Sequence, residues 1–594
     1  MALLRRFAAV ALVSVGAWGL GSASTSPAFA ATPAEIAQLH AQPCPFYDVG
    51  REQSYSTGQV ARAKDGTFEV MAGKPAQLVP PVDWTQDPYA SRSWGHYLHG
   101  FSWVDPLLYA YAHDGDVDAL TQARDLLLDW IAAVPREPGA PEQSWLDKTV
   151  GDRSRYLGYI TRAAACEDLL DDAQAATLID SVREHGSLLA DPGFHAPTNH
   201  GLYDNFGLAL LGRNASFLAE GPAWVELARQ RFRSTLSARL YEEEGFWLEH
   251  SAGYQFLVIR LVERFAERFD PGAYDGELAV MREAAGWLVM PPGTKVPYGD
   301  SGSGLAPEWA REEATDDRGL RVMRRSGLAV VKDRGGYLLV TAGFHNRTHK
   351  HADDLGFHLY DRGRDVISDT GHHNYNLDRW RRFSLSAAAH SVLSVGNHDF
   401  PIKADKRVYG SGIRAAGAGH GWYAIQGANP LLRPRGVRHR RLYLYRPGRA
   451  LVVIDFVRAK RERPYLRRLQ LAPQLDVRRH RGRLRLAAEG FRGALRDGGA
   501  PARLRVIEGR DDPPGGWSLT GGGRTARPTV QLRSRAEDAR YVAALGLRGP
   551  ASARLLPSPA GSVKVRVGGP ALRDSVLRVK RRRGGLSIAE RRAG

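Results

Sequence analysis

The sequence predicts an α+β multidomain chain, in which an N-terminal (α/α) toroid is followed by a C-terminal antiparallel β-sandwich. From about residue 33 to 310, apolar residues recur every three or four positions in segments separated by Gly, Pro or Asp. This spacing is typical of amphipathic helices. After about residue 320, short β-rich runs follow one another without intervening helices, as in antiparallel sandwiches.

The helical periodicity is clearest in six segments of the N-terminal half. They are Phe101 to Ala112, Val117 to Val134, Arg155 to Leu170, Asp172 to His185, Trp224 to Leu240 and Ser251 to Phe269. Successive helices joined by short loops pack antiparallel, and many such hairpins can close into a toroid or stack as a solenoid. The sequence has no regular period, which argues against a simple repeat array. We therefore assign residues 31–315 to an (α/α) toroid.

The strand-like runs define the second part of the chain. They are Leu328 to Lys332, Gly336 to Thr341, Leu355 to Tyr360, Leu442 to Tyr445, Ala450 to Val457 and Arg467 to Leu471. We assign residues 316–475 to the β-sandwich and residues 476–594 to its continuation. Arg and Gly are frequent in this last region, and its composition allows disorder around Lys580 to Arg583.

The first thirty residues read as a signal peptide rather than as part of the fold. Arg5 and Arg6 form a basic start, Phe7 to Leu20 is apolar, and Ala28-Phe29-Ala30 fits a cleavage signal before Ala31. The apolar run is shorter than the roughly 20 residues that a membrane-spanning helix needs. We expect no membrane span and a protein exported to the periplasm or the extracellular space.

Cysteine content and charge narrow the classes of function. Only Cys44 and Cys166 occur, so a disulfide framework is excluded, and the spacing leaves one bridge open. A metal site must therefore use histidine and carboxylate ligands. The formal net charge of +18 favours polyanionic partners, either nucleic acid or an acidic polysaccharide. A third explanation of the positive net charge is a compositional bias toward Arg, without any polyanionic partner.

The most informative pattern is His349-Lys350-His351, followed by Asp369 and His390. The two close histidines lie on a predicted strand, where residues i and i+2 share one face. Two histidines and one carboxylate suffice to hold zinc. The remaining histidine is then left for proton transfer. The alternative is a set of satisfied polar side chains in the core or on the surface.

Asn199 and His200 lie at the predicted start of a helix. Thr198 is a candidate N-cap, and Gly212 is a candidate residue just beyond the C-terminal end. Backbone N–H groups and the helix dipole favour an anion at such a helix start. The alternative is that Asn199 caps the helix and His200 packs.

Tyr254 falls in the first turn of another predicted helix, with Ser251 as its N-cap. A tyrosine there is either half-buried packing or a phenol placed for proton transfer. The later loop around Asp300 is interpreted as a structural turn.

Arg153 and Arg155 are candidates for binding a substrate, because arginine binds carboxylates and sulfates bidentately. Their alternative is ion pairing with Asp147 or Glu167.

Several of these motifs together resemble the heparinase II/III family of polysaccharide lyases, which includes heparin/heparan sulfate lyases and oligoalginate lyases. The resemblance runs from about Trp94 to Pro473. It rests on Ser93-Trp94-Gly-His-Tyr, Trp145-Leu-Asp-Lys, Asn199-His200-Gly-Leu-Tyr, Glu249-His-Ser-x-x-Tyr254, Gly299-Asp300-Ser301, His349-x-His351-Ala-Asp353, Asp369-x-Gly371 and Ala389-His390-Ser391. The family's toroid and β-sandwich agree with the fold class predicted above.

The resemblance implies a lyase that cleaves a uronic-acid polysaccharide by β-elimination. Asn199 and His200 would neutralise the uronate carboxylate, so that the charge developing in the transition state is stabilised. Tyr254 would be the general acid, and for one substrate epimer also the base. His349 would be the opposing base.

The resemblance also implies one structural zinc ion, held by His351, Asp369 and His390. The motif Ala-His390-Ser departs from the more frequent Ala-His-Asn, which leaves the ligand in place and changes its neighbour. Tyr375 resembles an additional active-site tyrosine of some members.

Three other functions remain as alternatives. One is an oligoalginate lyase, and another is a glycoside hydrolase built on the toroid, with Asp147, Glu249 and Asp300 as available carboxylates. The third is a non-catalytic polyanion-binding protein. We expect an acidic polysaccharide as partner and no nucleic acid. The sequence leaves open the particular polysaccharide, its sulfation, endo or exo action, and the oligomeric state.

Overall fold

A computed structural model describes residues 30–51, 53–314, 318–403, 407–583 and 585–593. Apart from Ala30, the predicted signal peptide lies outside these residues. Up to residue 314 the fold is mainly helical. The helices are α1 Pro33–His40, α2 Thr57–Lys64, α3 Trp94–His99, α4 Asp105–Asp114, α5 Val117–Ala133, α6 Asp147–Cys166, α7 Asp172–Ala190, α8 Asn199–Asn214, α9 Gly221–Arg239, α10 Ala252–Phe269, α11 Asp275–Trp287 and α12 Glu308–Glu313.

Two short hairpins accompany these helices. Their strands are β1 Thr67–Met71, β2 Lys74–Gln77, β3 Leu240–Tyr241 and β4 Phe246–Trp247. A disulfide joins Cys44 to Cys166, with a Cα–Cα distance of 5.2 Å, and so ties the segment after α1 to the end of α6. The sequence left this pairing open.

From residue 319 onward the chain is built from antiparallel sheets. The first has five strands in the order β10-β9-β7-β6-β5. The strands of this region are β5 Gly319–Met323, β6 Leu328–Asp333, β7 Gly336–Thr341, β8 Gly343–Phe344, β9 Gly356–Asp361 and β10 Arg364–Ile367, and helix α13 Arg379–Leu385 follows them.

The second sheet has ten strands, and its main path is β13-β14-β15-β16-β25-β19-β18-β17. Its strands, with the small pairs inserted between them, are β11 Leu393–Val395, β12 Gly410–Ser411, β13 Ile413–Gly419, β14 Trp422–Asn429, β15 Val437–Arg446, β16 Ala450–Gln470, β17 Asp476–His480, β18 Arg483–Ala488, β19 Phe491–Gly499, β20 Arg503–Ile507, β21 Arg510–Asp511, β22 Pro514–Gly515, β23 Trp517–Thr520, β24 Gly523–Ala526 and β25 Thr529–Gly546.

A third sheet of four strands closes the chain, made of β26 Ser552–Leu556, β27 Ser562–Gly569, β28 Leu572–Arg582 and β29 Gly585–Arg592. The allowance for disorder around Lys580 to Arg583 is therefore corrected. Alternate residues of β28, among them Leu577 and Val579, are buried against the large sheet. The strand therefore has an Arg-rich outer face and an apolar inner face.

The sheets are stacked in layers. The alternation of side chains along each strand explains which layer each face packs against. In β6, Leu328 and Val330 belong to the apolar core of the helical half, whereas Ala329 and Val331 belong to the core shared with the large sheet. The five-stranded sheet is thus apolar on both faces, because helices cover one face and a sheet covers the other. The predicted fold class, a helical toroid followed by an antiparallel sandwich, is confirmed. Among the described residues, no helix combines the length and apolar character needed to cross a membrane.

Helix α6 begins earlier than predicted, at Asp147 rather than at Arg155. Its first turns carry polar residues that are buried inside the toroid, such as Thr149 and Asp152. Apolar periodicity cannot reveal a helix whose inner face is polar. The predicted end of α8 at Gly212 is also wrong, since the helix continues to Asn214. Gly212 is instead a contact point, where a Cβ would lie 2.6 Å from the Gly221 carbonyl oxygen.

Helices α6 and α8 cross at two glycines. A Cβ on Gly207 would lie 2.1 Å from the carbonyl oxygen of Gly151, so only glycine allows the two backbones to come this close. The crossing holds the start of α6, with Asp147, beside the start of α8, with Asn199 and His200.

Replacing Gly207 with Ala should therefore destabilise the helical half by about 1–3 kcal/mol, the cost typical of overpacking. Chemical denaturation measures the change. Gly276→Ala, in α11, is the matched control, because none of the described residues lies within 4 Å of the Cβ position there. Equal stabilities of the two variants would contradict the account of this crossing.

Candidate active site

The candidate site lies where the loop between β8 and β9 meets the start of α10. His349 and His351 belong to this loop and not to a strand, and His349 adopts a left-handed backbone conformation with φ 54°. The predicted strand is wrong here. Its sequence, His345-Asn-Arg-Thr-His-Lys-His351, is polar throughout and forms hydrogen bonds to the toroid instead of pairing in a sheet. The two histidines consequently face different partners.

His250 fastens this loop to the helical half. Its Nε2 accepts a hydrogen bond from the backbone N–H of His345 at 3.0 Å, and its Nδ1–H donates to the carbonyl of Thr348 at 3.0 Å. Asn346 adds a bond from Nδ2 to the Leu248 carbonyl at 2.6 Å. Burial, together with the nearby charge of Lys350, depresses the pKa of His250 well below its usual range. The imidazole is therefore neutral, as one donated and one accepted bond require.

Tyr254 and His349 meet face to face. Their ring centroids are 3.7 Å apart with an interplanar angle of 23°, and the Tyr254 hydroxyl lies 2.8 Å from that of Tyr375. Burial raises the pKa of Tyr254, so the phenol is protonated at neutral pH. A protonated phenol in this position can donate a proton to a ligand.

Glu249 links His349 to the start of α8. Its Oε1 accepts a hydrogen bond from the backbone N–H of Asn199 at 2.8 Å, while its Oε2 lies 3.4 Å from Nδ1 of His349. The Glu249 side chain is fully buried. This contact turns Nδ1 toward the carboxylate and leaves Nε2 as the ring nitrogen for a substrate.

Asn199 and His200 lie in the first turn of α8, as predicted, with Thr198 as the N-cap. His200 is half exposed, and its Nδ1 lies 3.1 Å from Oδ1 of Asp147. Asn199 is buried, and its Oδ1 has no hydrogen-bond partner among the described residues. An amide and an imidazole side chain thus lie at the positive end of a helix dipole.

Asp300 holds together the other side of the site. It accepts hydrogen bonds from Arg381, one of them at 2.8 Å from Nη2, and lies 2.8 Å from Nε2 of His351 and 3.1 Å from Nδ1 of His372. Burial alone would raise the pKa of Asp300, but these three neighbours outweigh it and hold the pKa well below its usual range. Asp300 is therefore a buried anion at a junction of chain segments, more than the structural turn predicted from sequence.

The three predicted zinc ligands are neighbours in the structure. The His351 and His390 rings have centroids 5.3 Å apart, and Nδ1 of His390 lies 2.8 Å from Oδ2 of Asp369. Nδ1 of His351 is buried without a hydrogen-bond partner among the described residues, as expected of an imidazole nitrogen reserved for a metal. The donor types therefore fit zinc.

The possible ligand atoms of His351, Asp369 and His390 do not all lie within 4.8 Å of one another. In the described part of the chain, the one group of three such residues with ligand atoms all within 4.8 Å is Cys44, Cys166 and Glu167. The two sulfurs of that group form the disulfide, so it offers no thiolate to a metal.

Arg527, two residues before β25, supports the Asp369 segment. Its buried guanidinium donates hydrogen bonds to the carbonyls of Ser368 at 2.8 Å, Asp369 at 3.1 Å, Gln470 at 2.7 Å and Leu471 at 2.8 Å. Arg527 thereby joins the backbone beneath the candidate metal site to the large sheet.

The structure corrects the predicted substrate-binding role of Arg153 and Arg155. Arg153 is fully buried, with its guanidinium 3.8 Å from the Trp130 ring and bonded to the carbonyls of His99 and Ser144. Arg155 is also buried and pairs with Asp152, not with the predicted alternatives Asp147 or Glu167. Neither charge is available to a polysaccharide. Tyr375, in contrast, lies against Tyr254 and stays a candidate for contact with substrate.

Several residues that hold this site have roles that local sequence does not reveal. Glu249 and Asp300 stood inside recognised motifs, but their function depends on partners far along the chain. Arg381 and His372 carried no motif of their own, and the His372-His-Asn-Tyr375 run was the available signal. The hydrolase alternative is weakened, because Glu249 is fully buried and Asp300 is bound on both oxygens.

Comparison with known proteins agrees with this geometry. Residues 51–270 match the family model for the heparinase II/III N-terminus, and residues 315–558 match that for the heparinase II/III-like C-terminal region. No curated protein matches the sequence.

Solved structures share the fold at low identity. A crystal structure of heparinase III has 14% identity and a TM-score of 0.74 over 94% of each chain. The heparan sulfate lyase HepC from Pedobacter heparinus has 16% identity and a TM-score of 0.62, over 94% of this chain and 93% of that one. The two family models together span most of the chain, which belongs to the heparinase II/III family and is a polysaccharide lyase.

Proposed function

We propose that this chain is an exported lyase that cleaves a uronic-acid-containing polysaccharide by β-elimination and leaves an unsaturated uronate at the new end. The observation that carries the proposal is the contact between Tyr254 and His349, whose ring centroids are 3.7 Å apart. A phenol from the toroid and an imidazole from the sheet region are here in direct contact. The two groups supply the acid and the base that an elimination needs.

The proposed reaction requires one proton removed and one delivered. Nε2 of His349 takes the proton from C5 of the uronate, and the C–H electrons form the C4–C5 double bond. The bond between C4 and the glycosidic oxygen breaks, and the departing oxygen receives the hydroxyl proton of Tyr254. The raised pKa of Tyr254 supports the acid role. It makes the base role implied for one substrate epimer depend on prior loss of that proton.

Asn199 and His200 are proposed to bind the uronate carboxylate. The C5 proton is weakly acidic while that carboxylate is fully charged, so donors that neutralise it stabilise the enolate-like charge of the transition state. Their place at the start of α8 puts both side chains at the positive end of the helix dipole, which favours an anion. Tyr375 is proposed to contact the sugar and to hold the Tyr254 hydroxyl through their 2.8 Å hydrogen bond.

We further propose that His351, Asp369 and His390 hold one structural zinc ion. Bound there, zinc would join the loop between β8 and β9 to the segments after β10 and α13. The catalytic residue His349 is two positions from His351, so the ion would set the position of that loop. The protein's own residues carry out the proton transfers.

The proposed substrate is a glycosaminoglycan of the heparin or heparan sulfate type. The net charge of +18 favours a highly charged polymer, and two similar structures are those of heparinase III and a heparan sulfate lyase. The proposal of export rests on the N-terminal signal pattern and on the Cys44–Cys166 disulfide, since disulfides persist in oxidising compartments.

Replacing Tyr254 with Phe should lower kcat on heparan sulfate by about 10²–10⁴-fold, because the leaving oxygen then lacks its proton donor. Ultraviolet absorbance of the unsaturated product measures the rate. Affinity for the polymer should stay within a few-fold. Tyr111→Phe, which removes a hydroxyl bonded to Glu167 away from the site, is the control. Full activity of Tyr254→Phe would exclude the proposed acid.

Replacing Glu249 with Gln should lower kcat at least about tenfold, because the negative charge beside Nδ1 of His349 is lost while a side-chain oxygen remains for the Asn199 N–H. Steady-state kinetics on the same polymer measure the effect, and KM should change little. Glu283→Gln removes an exposed carboxylate elsewhere as control. Equal rates for the two variants would contradict the role given to Glu249.

Metal analysis of the purified protein should find about one zinc per chain. His390→Ala should lose the metal, and its melting temperature should no longer respond to a chelator that lowers the melting temperature of the unaltered protein. His113→Ala, at an exposed position, is the control. A zinc-free protein whose melting temperature does not change with added zinc would refute the proposed site.

A further inference from the structure

A cleft lies far along the sequence from the proposed catalytic residues, between the large sheet and the four-stranded C-terminal sheet. Its volume is about 1670 Å³, above the roughly 300–1,000 Å³ of a small-molecule pocket. None of the site residues described above lines it. We call it the arginine groove, after its eight arginines, Arg433, Arg438, Arg440, Arg458, Arg496, Arg540, Arg554 and Arg566.

The groove opens on the face of the large sheet that is turned away from the catalytic loop. Strand alternation establishes this. In β15, Arg441 faces the inner side and donates to the carbonyls of Leu355 and Ser391, the residue after His390. Arg440 and Leu442 therefore point to the opposite face, and Leu442 packs in the core shared with the C-terminal sheet.

Most of this positive charge is not neutralised within the protein. Three aspartates line the groove, and each is already near an arginine. Asp574 lies 2.6 Å from Arg566, Asp538 lies 3.8 Å from Arg458, and Asp497 pairs with Arg467 beside the groove. The other six groove arginines have no carboxylate partner among the described residues.

The strand register places like charges directly opposite one another. Arg438 is the cross-strand partner of Arg458, and Arg554 is the partner of Arg566. Such pairs destabilise a sheet by repulsion. A bound polyanion removes this cost, because each anionic group can lie between two guanidinium groups.

An aromatic ring lies in the middle of the charge. Phe456 of β16 is the cross-strand partner of Arg440 on one side and of Arg540 on the other, and the Arg440 guanidinium lies 5.7 Å from its ring centroid. A half-buried ring between two arginines offers an apolar surface for a sugar ring and donors for the carboxylate or sulfate groups at its edges.

We infer that the arginine groove is a second, non-catalytic binding site for the acidic polysaccharide that the active site cleaves. It holds a distant part of the same polymer, which raises the local concentration of cleavable bonds at the proposed catalytic residues. This inference rests on the proposed function for the identity of the polymer. A sugar polymer fits better than a nucleic acid because a single partly buried ring, flanked by guanidinium groups, suits one sugar face.

The double variant R440Q/R540Q tests the groove. Its KM for long heparan sulfate chains should rise at least about fivefold, while kcat/KM on a tetrasaccharide stays within twofold. The control R478Q/R535Q removes the same charge from exposed arginines outside the groove and should leave both values unchanged. Phe456→Leu should weaken polymer binding without any change in charge. Circular dichroism verifies folding.

Binding is measured in parallel by calorimetry with the long chain, in a Tyr254→Phe background that prevents cleavage. Equal affinities of R440Q/R540Q and R478Q/R535Q would overturn the inference. Tighter groove-dependent binding of duplex DNA than of heparan sulfate would also overturn it. If no uronate polymer is cleaved but heparan sulfate binding still depends on Arg440 and Arg540, the proposed function fails and the groove stands.

Discussion

The structure depends on the docking of one polar loop from the sheet region against the helical toroid. His250 fastens the loop through two hydrogen bonds to backbone groups of His345 and Thr348. These bonds require a neutral imidazole, which burial and the charge of Lys350 ensure. Because His349 follows directly after Thr348, the same contact fixes the imidazole over the Tyr254 ring.

Two buried carboxylates, Glu249 and Asp300, each contact several groups around this loop. Glu249 lies between His349 and the start of α8, so the proposed base and the proposed carboxylate site share one anion. Asp300 lies between His351, His372 and Arg381, so the proposed metal side and the Tyr375 segment share another. Neither carboxylate can be removed without leaving buried partners unsatisfied, which is costly.

The fold class could be predicted because periodicity changes sharply near residue 320, and local spacing reveals such a change. The proximity of Tyr254 to Tyr375 and of His351 to His390 was implied by the family resemblance and not by local spacing. Burial could not be predicted: Arg153 looks like an anion-binding residue until Trp130 and two carbonyls enclose it. The partners of Asp300 lie 51, 72 and 81 positions away, and single-sequence patterns carry no signal at that distance. The strand predicted at His349 does not form. The backbone of this docked loop forms hydrogen bonds to a side chain of the helical half instead of to a neighbouring strand.

The source of the oxygen atoms in the cleavage products tests most directly whether the protein cleaves by elimination. Digestion of heparan sulfate in heavy-oxygen water, followed by mass spectrometry, distinguishes elimination from hydrolysis. The proposed action of Tyr254 and His349 on one uronate predicts unsaturated non-reducing ends, lighter by one water than hydrolysis products, and new reducing ends that keep the glycosidic oxygen. Saturated fragments that have incorporated heavy oxygen would contradict the account.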